Sequence, residues 1–168
     1  MKLIMSDRPL DIHVQPMEDI RYFDLSSLKI ANCMGCFGCW TKTPGRCVIR
    51  DDATQIYPCI AQSETVLYVS RLAYGGYDTP MKTMLERAIP VQQAFIRIHQ
   101  GETHHVQRDV KLKRATIIAY GDTDEEAVCR CPSKRFSSIL KNLGSSSASP
   151  ETSYLHSDKL RFPGIRTE

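Results

Sequence analysis

"TVLYVSRLAYGGYDTPMKTML" (residues 65–85) runs through a strand, a loop and the start of a helix, and its reading decides the fold class. Thr65–Ser70 is short, apolar and β-branched, as a buried strand requires. The loop 71–78 carries Gly75 and Gly76 between two tyrosines. Thr79 stands where a helix cap is needed, with Pro80 at the first helical position. Met81, Met84, Leu85 and Ala88 then recur at helical spacing.

Working outward, the pattern continues. "MKLIMS" (1–6) and "IRYFDL" (20–25) read as short buried strands. Only thirteen residues separate them, with Pro9 and Pro16 inside, which leaves little room for a full crossover helix. "RDDATQIYPCIAQ" (50–62) opens with acidic residues suited to a helix N-terminus and places Ile56, Cys59 and Ile60 on one face; Pro58 predicts a kink or a late start. Pro90 is expected to end the helix that starts at Thr79. "AFIRIHQGETHHVQ" (94–107) alternates around Gln100-Gly101 as a hairpin does. "RATIIAY" (114–120) is another buried-type strand, followed by Gly121. Thr123 and Glu126 form a capping box, Pro132 interrupts, and Phe136, Ile139, Leu140 and Leu143 resume a helical pattern up to Gly144. "SSSASPETS" (145–153) is a polar loop, Tyr154 and Leu155 suit a last short strand, and 156–168 reads as a polar tail.

Strands alternating with helices indicate an α/β sandwich around a mostly parallel sheet, as one domain over 1–168 with its core in 1–155. Ligands of such sheets sit at the carboxyl ends of the strands. The loops 32–47, 71–78 and 121–123 each follow a predicted strand, so they are expected on one edge.

Composition narrows the function. The chain is 42% hydrophobic and 24% charged, within the globular range. A net charge of +3, with Lys and Arg scattered, gives no footprint for nucleic acid. No apolar run approaches the roughly 20 residues of a membrane span, and "MKLIMSDRPLD" turns polar too soon for a signal peptide. Seven cysteines, an odd number, are therefore expected in a reducing cytoplasm, where close spacing indicates metal or redox chemistry.

"NCMGCFGCWTKTPGRC" (32–47) gathers four of them. Cys33, Cys36 and Cys39 step by three, and Cys47 follows after Trp40, Pro44 and Gly45. Thiolates are soft ligands, and a four-iron cluster wants four converging from a compact loop. A metal-free reduced loop fits equally well. Zinc fits less well, because its structural sites more often use two separated CxxC pairs.

Two stretches resemble a known family. "CMGCFGCWTKTPGRCVIRDD" (33–52) looks like the cysteine-rich segment, ending in a DD pair, of the flavodoxin-like NAD(P)H-dependent FMN reductase and iron–sulfur flavoprotein superfamily. "SETVLYVSRLAYGGYDTPMKTMLER" (63–87) is similar to that family's strand, aromatic-Gly loop and K-x-x-L-D-R helix, with Lys82, Leu85, Glu86 and Arg87 at those positions.

The resemblance implies a flavodoxin-like three-layer sandwich, FMN as cofactor, NAD(P)H as electron donor, a four-iron four-sulfur cluster on Cys33, Cys36, Cys39 and Cys47, and a homodimer. It places the flavin ring against Ser70, Arg71, Leu72, Ala73, Tyr74, Gly75, Gly76 and Tyr77, with Tyr120 and Gly121 completing the pocket. Glycine lets the backbone approach a flat ring, and Tyr74 and Tyr77 offer stacking area. A helix-leading turn at Tyr120–Asp122 and core packing of the tyrosines are the plain alternatives. Two departures stand out. Family members carry a Gly/Ser-rich phosphate loop after the first strand, where this chain has "SDRPLD" (6–11), and Arg71 follows Ser70 where proline is usual. Ser6 and Arg8 are the nearest substitutes.

Elsewhere the signals are structural. His104-His105 reads as solvated, Cys59 as core, and Met81 and Met84 as packing. Cys129 and Cys131 are two ligands without partners. There is no P-loop, no G-x-G-x-x-G and no hydrolytic triad, so no catalytic residue is assigned; a redox cofactor would carry the chemistry. The expected activity is an FMN-dependent oxidoreductase passing electrons to a small acceptor or redox protein. The alternative is a non-catalytic metal-binding or interaction module that keeps the fold without flavin.

Overall fold

Period-two alternation along the strands builds the sheet. In the computed structural model, residues 1–12, 18–74, 76–99 and 101–121 are described, together with the backbone of 151–156 and 165–166. In chain order the elements are β1 (Lys2–Ser6), β2 (Asp11–Ile12), β3 (Ile20–Asp24), α1 (Gly38–Thr41), α2 (Ala53–Gln62), β4 (Thr65–Ala73) and β5 (Gly76–Tyr77). They continue with α3 (Thr79–Glu86), a single 3₁₀ turn (Ile89–Val91), β6 (Gln92–His99), β7 (Glu102–Gln107), β8 (Arg114–Gly121), β9 (Glu151–His156) and β10 (Ile165–Arg166).

The central sheet runs β3-β1-β4-β8-β9, and every neighbouring pair on that path is parallel. By first appearance this is the order 2-1-3-4-5, the doubly wound arrangement whose direction of winding reverses at β1. The carboxyl ends of these five strands therefore lie on one edge, with the topological switch point, where sheets of this kind receive ligands, between β1 and β4. The fold is flavodoxin-like, as expected.

Leu3, Met5, Val66, Tyr68, Ala115 and Ile117 share one face, where they pack with Ile56 and Ile60 of α2 and Met81 and Met84 of α3. Val69 and Tyr120 belong to a second cluster with Leu10, joined by Ile4, Leu67 and Ile118.

Several local expectations are corrected. β4 continues three residues beyond Ser70, and Tyr74 turns the chain into β5, which pairs antiparallel with β4. Most of the expected loop 71–78 is thus a tight hairpin. The α3 cap is Asp78, whose carboxylate accepts from the Thr79 amide at 2.7 Å. Thr79 is the first helical residue, because aspartate caps better than threonine. Pro58 sits inside α2 without ending it, since Ile56, Tyr57 and Ile60 anchor the helix in the core on both sides of it. His104 is buried rather than solvated, because β7 turns it inward opposite Arg97, and its ring nitrogen bonds Glu102 at 3.0 Å. Within the stretch read as a polar tail, Ile165–Arg166 pairs with β2. Gly75, Gln100, Asp122, the Thr123–Glu126 capping box, Cys129, Cys131 and the helical pattern up to Gly144 lie outside the described residues.

Candidate functional site

The cysteine segment curls because two of its residues take left-handed backbone: Gly35 (φ 63°) and, unusually for a side chain of that size, Phe37 (φ 54°). A Cβ on Gly38 would meet Val48 Cγ1 at 3.4 Å and Cys36 Sγ at 3.6 Å, so glycine lets the two limbs of the loop close. Cys33, Cys36, Cys39 and Cys47 all line one cleft, with Met34, Phe37, Val48 and Pro90 as apolar wall. All four are free thiols, and Cys36 is exposed at the mouth. Burial pushes the Cys39 thiol up, and the neighbouring charges of Cys47, Cys33 and Cys36 push it further. Among the described residues, no three His, Cys, Asp or Glu groups meet around a single-ion position.

Behind the cleft lies a contact that sequence reasoning missed. Arg87, only 1% exposed, forms a fork with Asp51: Nη1 donates to Oδ2 at 2.6 Å and Nη2 to Oδ1 at 2.9 Å. Nη1 also donates to the Ala31 carbonyl at 2.8 Å, and Nη2 lies 3.4 Å from Cys47 Sγ. Asp51 further accepts from the Ala31 and Ala53 amides, and Asp52 from the Lys29 amide. Burial opposes ionisation of Asp51, but Arg87 and these amides outweigh it and hold its carboxyl below the ordinary value. One guanidinium thus ties the start of the cysteine segment, its end and α3 together, and sets a positive charge against a thiol sulfur. The signal was present: Asp51 opens the DD pair and Arg87 closes the K-x-x-L-x-R pattern, but nothing in the sequence pairs them.

The second region is the carboxyl edge. Asp7, the first residue past β1, accepts from Ser70 Oγ (2.9 Å) and the Arg71 amide (2.7 Å) through Oδ2, and from Tyr120 Oη (2.7 Å) through Oδ1. The Arg8 guanidinium carbon stands 5.4 Å from the centre of the Tyr120 ring. Burial, then the Asp7 carboxylate, drives the Tyr120 phenol well above its ordinary range.

The residues assigned to the flavin ring separate into two groups. Ser70, Leu72, Tyr77, Tyr120 and Gly121 are buried, and Tyr77 packs edge-on against Tyr68 in the core. Arg71 and Tyr74 are exposed, and Ala73 and Gly76 are half-buried. Tyr74 stands fully in solvent with φ 52°. Asp78 joins the two regions: it caps α3 at the edge and lies 3.8 Å from Arg71, while α3 leads to Arg87 at the cleft. An eight-residue helix spans roughly 12 Å.

No protein-family model matches the chain. An iron–sulfur flavoprotein of Archaeoglobus fulgidus is 30% identical over 89 residues, which are 51% of this chain and 40% of that protein. An iron–sulfur flavoprotein of Methanocaldococcus jannaschii is 25% identical over 77 residues, 46% of this chain and 39% of its own length. The chain thus matches about two fifths of the length of these relatives. Among solved structures, an FMN-dependent NADH-azoreductase from Bacillus anthracis, in complex with FMN, superposes with a TM-score of 0.59 at 13% identity, over 96% of this chain and 89% of that one. An azoreductase from another strain of Bacillus anthracis gives 0.56 at 11% identity, over 92% and 86%. Among the described residues no helix is long and apolar enough to cross a membrane. The chain takes the flavodoxin-like fold and, over about half of its length, is similar in sequence to iron–sulfur flavoproteins.

Proposed function

We propose that the chain is a flavin-dependent oxidoreductase that takes electrons from NAD(P)H and passes them to a small acceptor or redox protein in a reducing compartment, with a four-iron four-sulfur cluster in the cysteine cleft. The observation that carries this reading is the gathering of Cys33, Cys36, Cys39 and Cys47 around one cleft, with the Arg87 guanidinium against Cys47. A bound flavin would supply hydride acceptance and a cluster one-electron transfer.

The chain's own residues hold and shield. The four thiols would be the ligands of a cluster, and Met34, Phe37, Val48 and Pro90 would form its apolar border. Arg87 offsets thiolate charge at Cys47, and Asp51 keeps that guanidinium aimed. At the sheet edge, Tyr74, Ala73 and Gly76 offer an open face for a flat ring. The fit to FMN is incomplete: its phosphate finds no Gly/Ser-rich loop after β1, and Asp7 already takes the hydroxyl and amide donors there. The relatives' names, iron–sulfur flavoprotein and FMN-dependent azoreductase, support the class of chemistry.

The test is anaerobic. Chain purified without oxygen and mixed with riboflavin or FMN should quench flavin fluorescence, and NADH or NADPH should then bleach the bound flavin. Failure to bind either flavin by folded, metal-replete protein would overturn the reading.

A further inference from the structure

We infer that Asp7 serves as a built-in anion at the crevice between β1 and β4, and that it selects an unphosphorylated flavin over FMN. The inference rests on the flavin reading above and deepens it.

In the 2-1-3-4-5 sheet the crevice at the β1 switch point is where a flavin and its phosphate are received, at the carboxyl ends of β1 and its neighbour. A phosphate monoester carries about −1.5 to −2 charges at pH 7 and only accepts hydrogen bonds from its binding site. It needs converging donors. This edge has three such donors on two elements: the Ser70 hydroxyl and Arg71 amide of β4, and the Tyr120 hydroxyl of β8, all within 2.9 Å of Asp7 oxygens. Their common acceptor is a carboxylate of the chain itself, attached to the first residue after β1. The Arg8 guanidinium lies over the Tyr120 ring, and that of Arg71 is 3.8 Å from the Asp78 carboxylate. The neighbouring Ser6 hydroxyl is buried and accepts from the Arg8 amide at 3.3 Å.

A phosphate brought to this edge would face a like charge and donors that are already engaged. A ribityl hydroxyl would not. An ionised carboxylate has about four acceptor positions, and three are taken here, two on Oδ2 and one on Oδ1. Asp7 is therefore a specificity-determining residue, and its ligand class is a flavin without a terminal charge.

The experiment titrates the full anaerobic chain with riboflavin, FMN and riboflavin 5′-acetate, following flavin fluorescence, for wild type and Asp7→Asn. The acetate is extended like FMN but uncharged, so it separates charge from bulk without any variant. Riboflavin should bind at least about tenfold more tightly than FMN, the scale of a like-charge clash at a binding interface. The acetate should stay within a few-fold of riboflavin, and Asp7→Asn should tighten FMN selectively. FMN binding as tightly as riboflavin would overturn the inference while leaving the oxidoreductase reading in place. So would an acetate as weak as FMN, which would mean bulk, or an Asp7→Asn change equal for all three ligands. Binding of none of the three by either protein would overturn the flavin reading and this inference with it.

Discussion

The cysteine cleft and the carboxyl edge of the sheet lie at the two ends of α3 and handle charge in opposite ways. At the cleft, Arg87 sets a buried cation against sulfur and is itself steadied by Asp51. At the edge, Asp7 supplies an internal anion and draws the local donors onto itself. A cleft of thiolates needs compensating positive charge if an anionic cluster is to sit there. An edge that already holds its anion has no need of a ligand to satisfy its backbone. Among the described residues, the first region gathers free thiols beside a buried cation; the second has its donors engaged on Asp7 and leaves Arg71 and Tyr74 exposed.

That contrast can be broken most forcefully at Arg87. Replacing it with methionine leaves the Asp51 carboxylate half-enclosed and unpaired, and loss of one partner of a buried ion pair costs about 3–5 kcal/mol. Urea unfolding should show a loss of that size, and anaerobic protein should retain less iron. A loss below about 1 kcal/mol would mean that the pair does not organise the cleft.

The same pair fixes a pH response. The Asp51 carboxyl is held below its ordinary value of 3.8, so its stabilisation is complete above that value and drains away as pH falls through the lower folded value. The urea midpoint of wild type should therefore fall on acidification below about pH 4, more steeply than that of Asp51→Asn. Parallel curves for the two proteins would remove Asp51 as the cause.

At the edge, effects should be smaller. Tyr120→Phe removes one hydrogen bond to a charged but half-exposed acceptor, and should cost about 1.5 kcal/mol in urea unfolding. Because Ser70 and the Arg71 amide still hold Asp7, the selectivity for riboflavin should survive. Smallest of all is Tyr74→Ala: a fully exposed side chain contributes within about 0.5 kcal/mol to stability, yet flavin binding should weaken several-fold. A wild-type affinity in Tyr74→Ala would move the ring to another part of the edge.

Much of the frame was legible in the sequence because it rests on local periodicity. Val66, Tyr68 and Leu72 on one face of β4, and Met81 and Met84 on α3, are patterns that neighbouring residues declare. The four cysteines were equally plain, since a loop of sixteen residues brings them together without any fold prediction. What stayed hidden depends on contacts between distant segments. Asp51 and Arg87 are 36 residues apart and Asp7 and Tyr120 are 113 apart, so only the assembled sheet reveals them. The absence of glycine in "SDRPLD" was visible, but it marked a missing phosphate loop rather than the carboxylate that stands in its place. His104 was misjudged for a similar reason: its burial comes from the register opposite Arg97, which alternation alone does not specify.

The most direct measurement is iron and acid-labile sulfide in the full chain purified without oxygen, beside Cys36→Ser. Cys36 is exposed, so metal-free Cys36→Ser should unfold within about 0.5 kcal/mol of metal-free wild type. Wild type is expected to carry about four irons and four sulfides per chain with broad visible absorbance, and Cys36→Ser clearly less of both. Stoichiometric zinc without iron, or no metal in either protein, would contradict a cluster in the cysteine cleft.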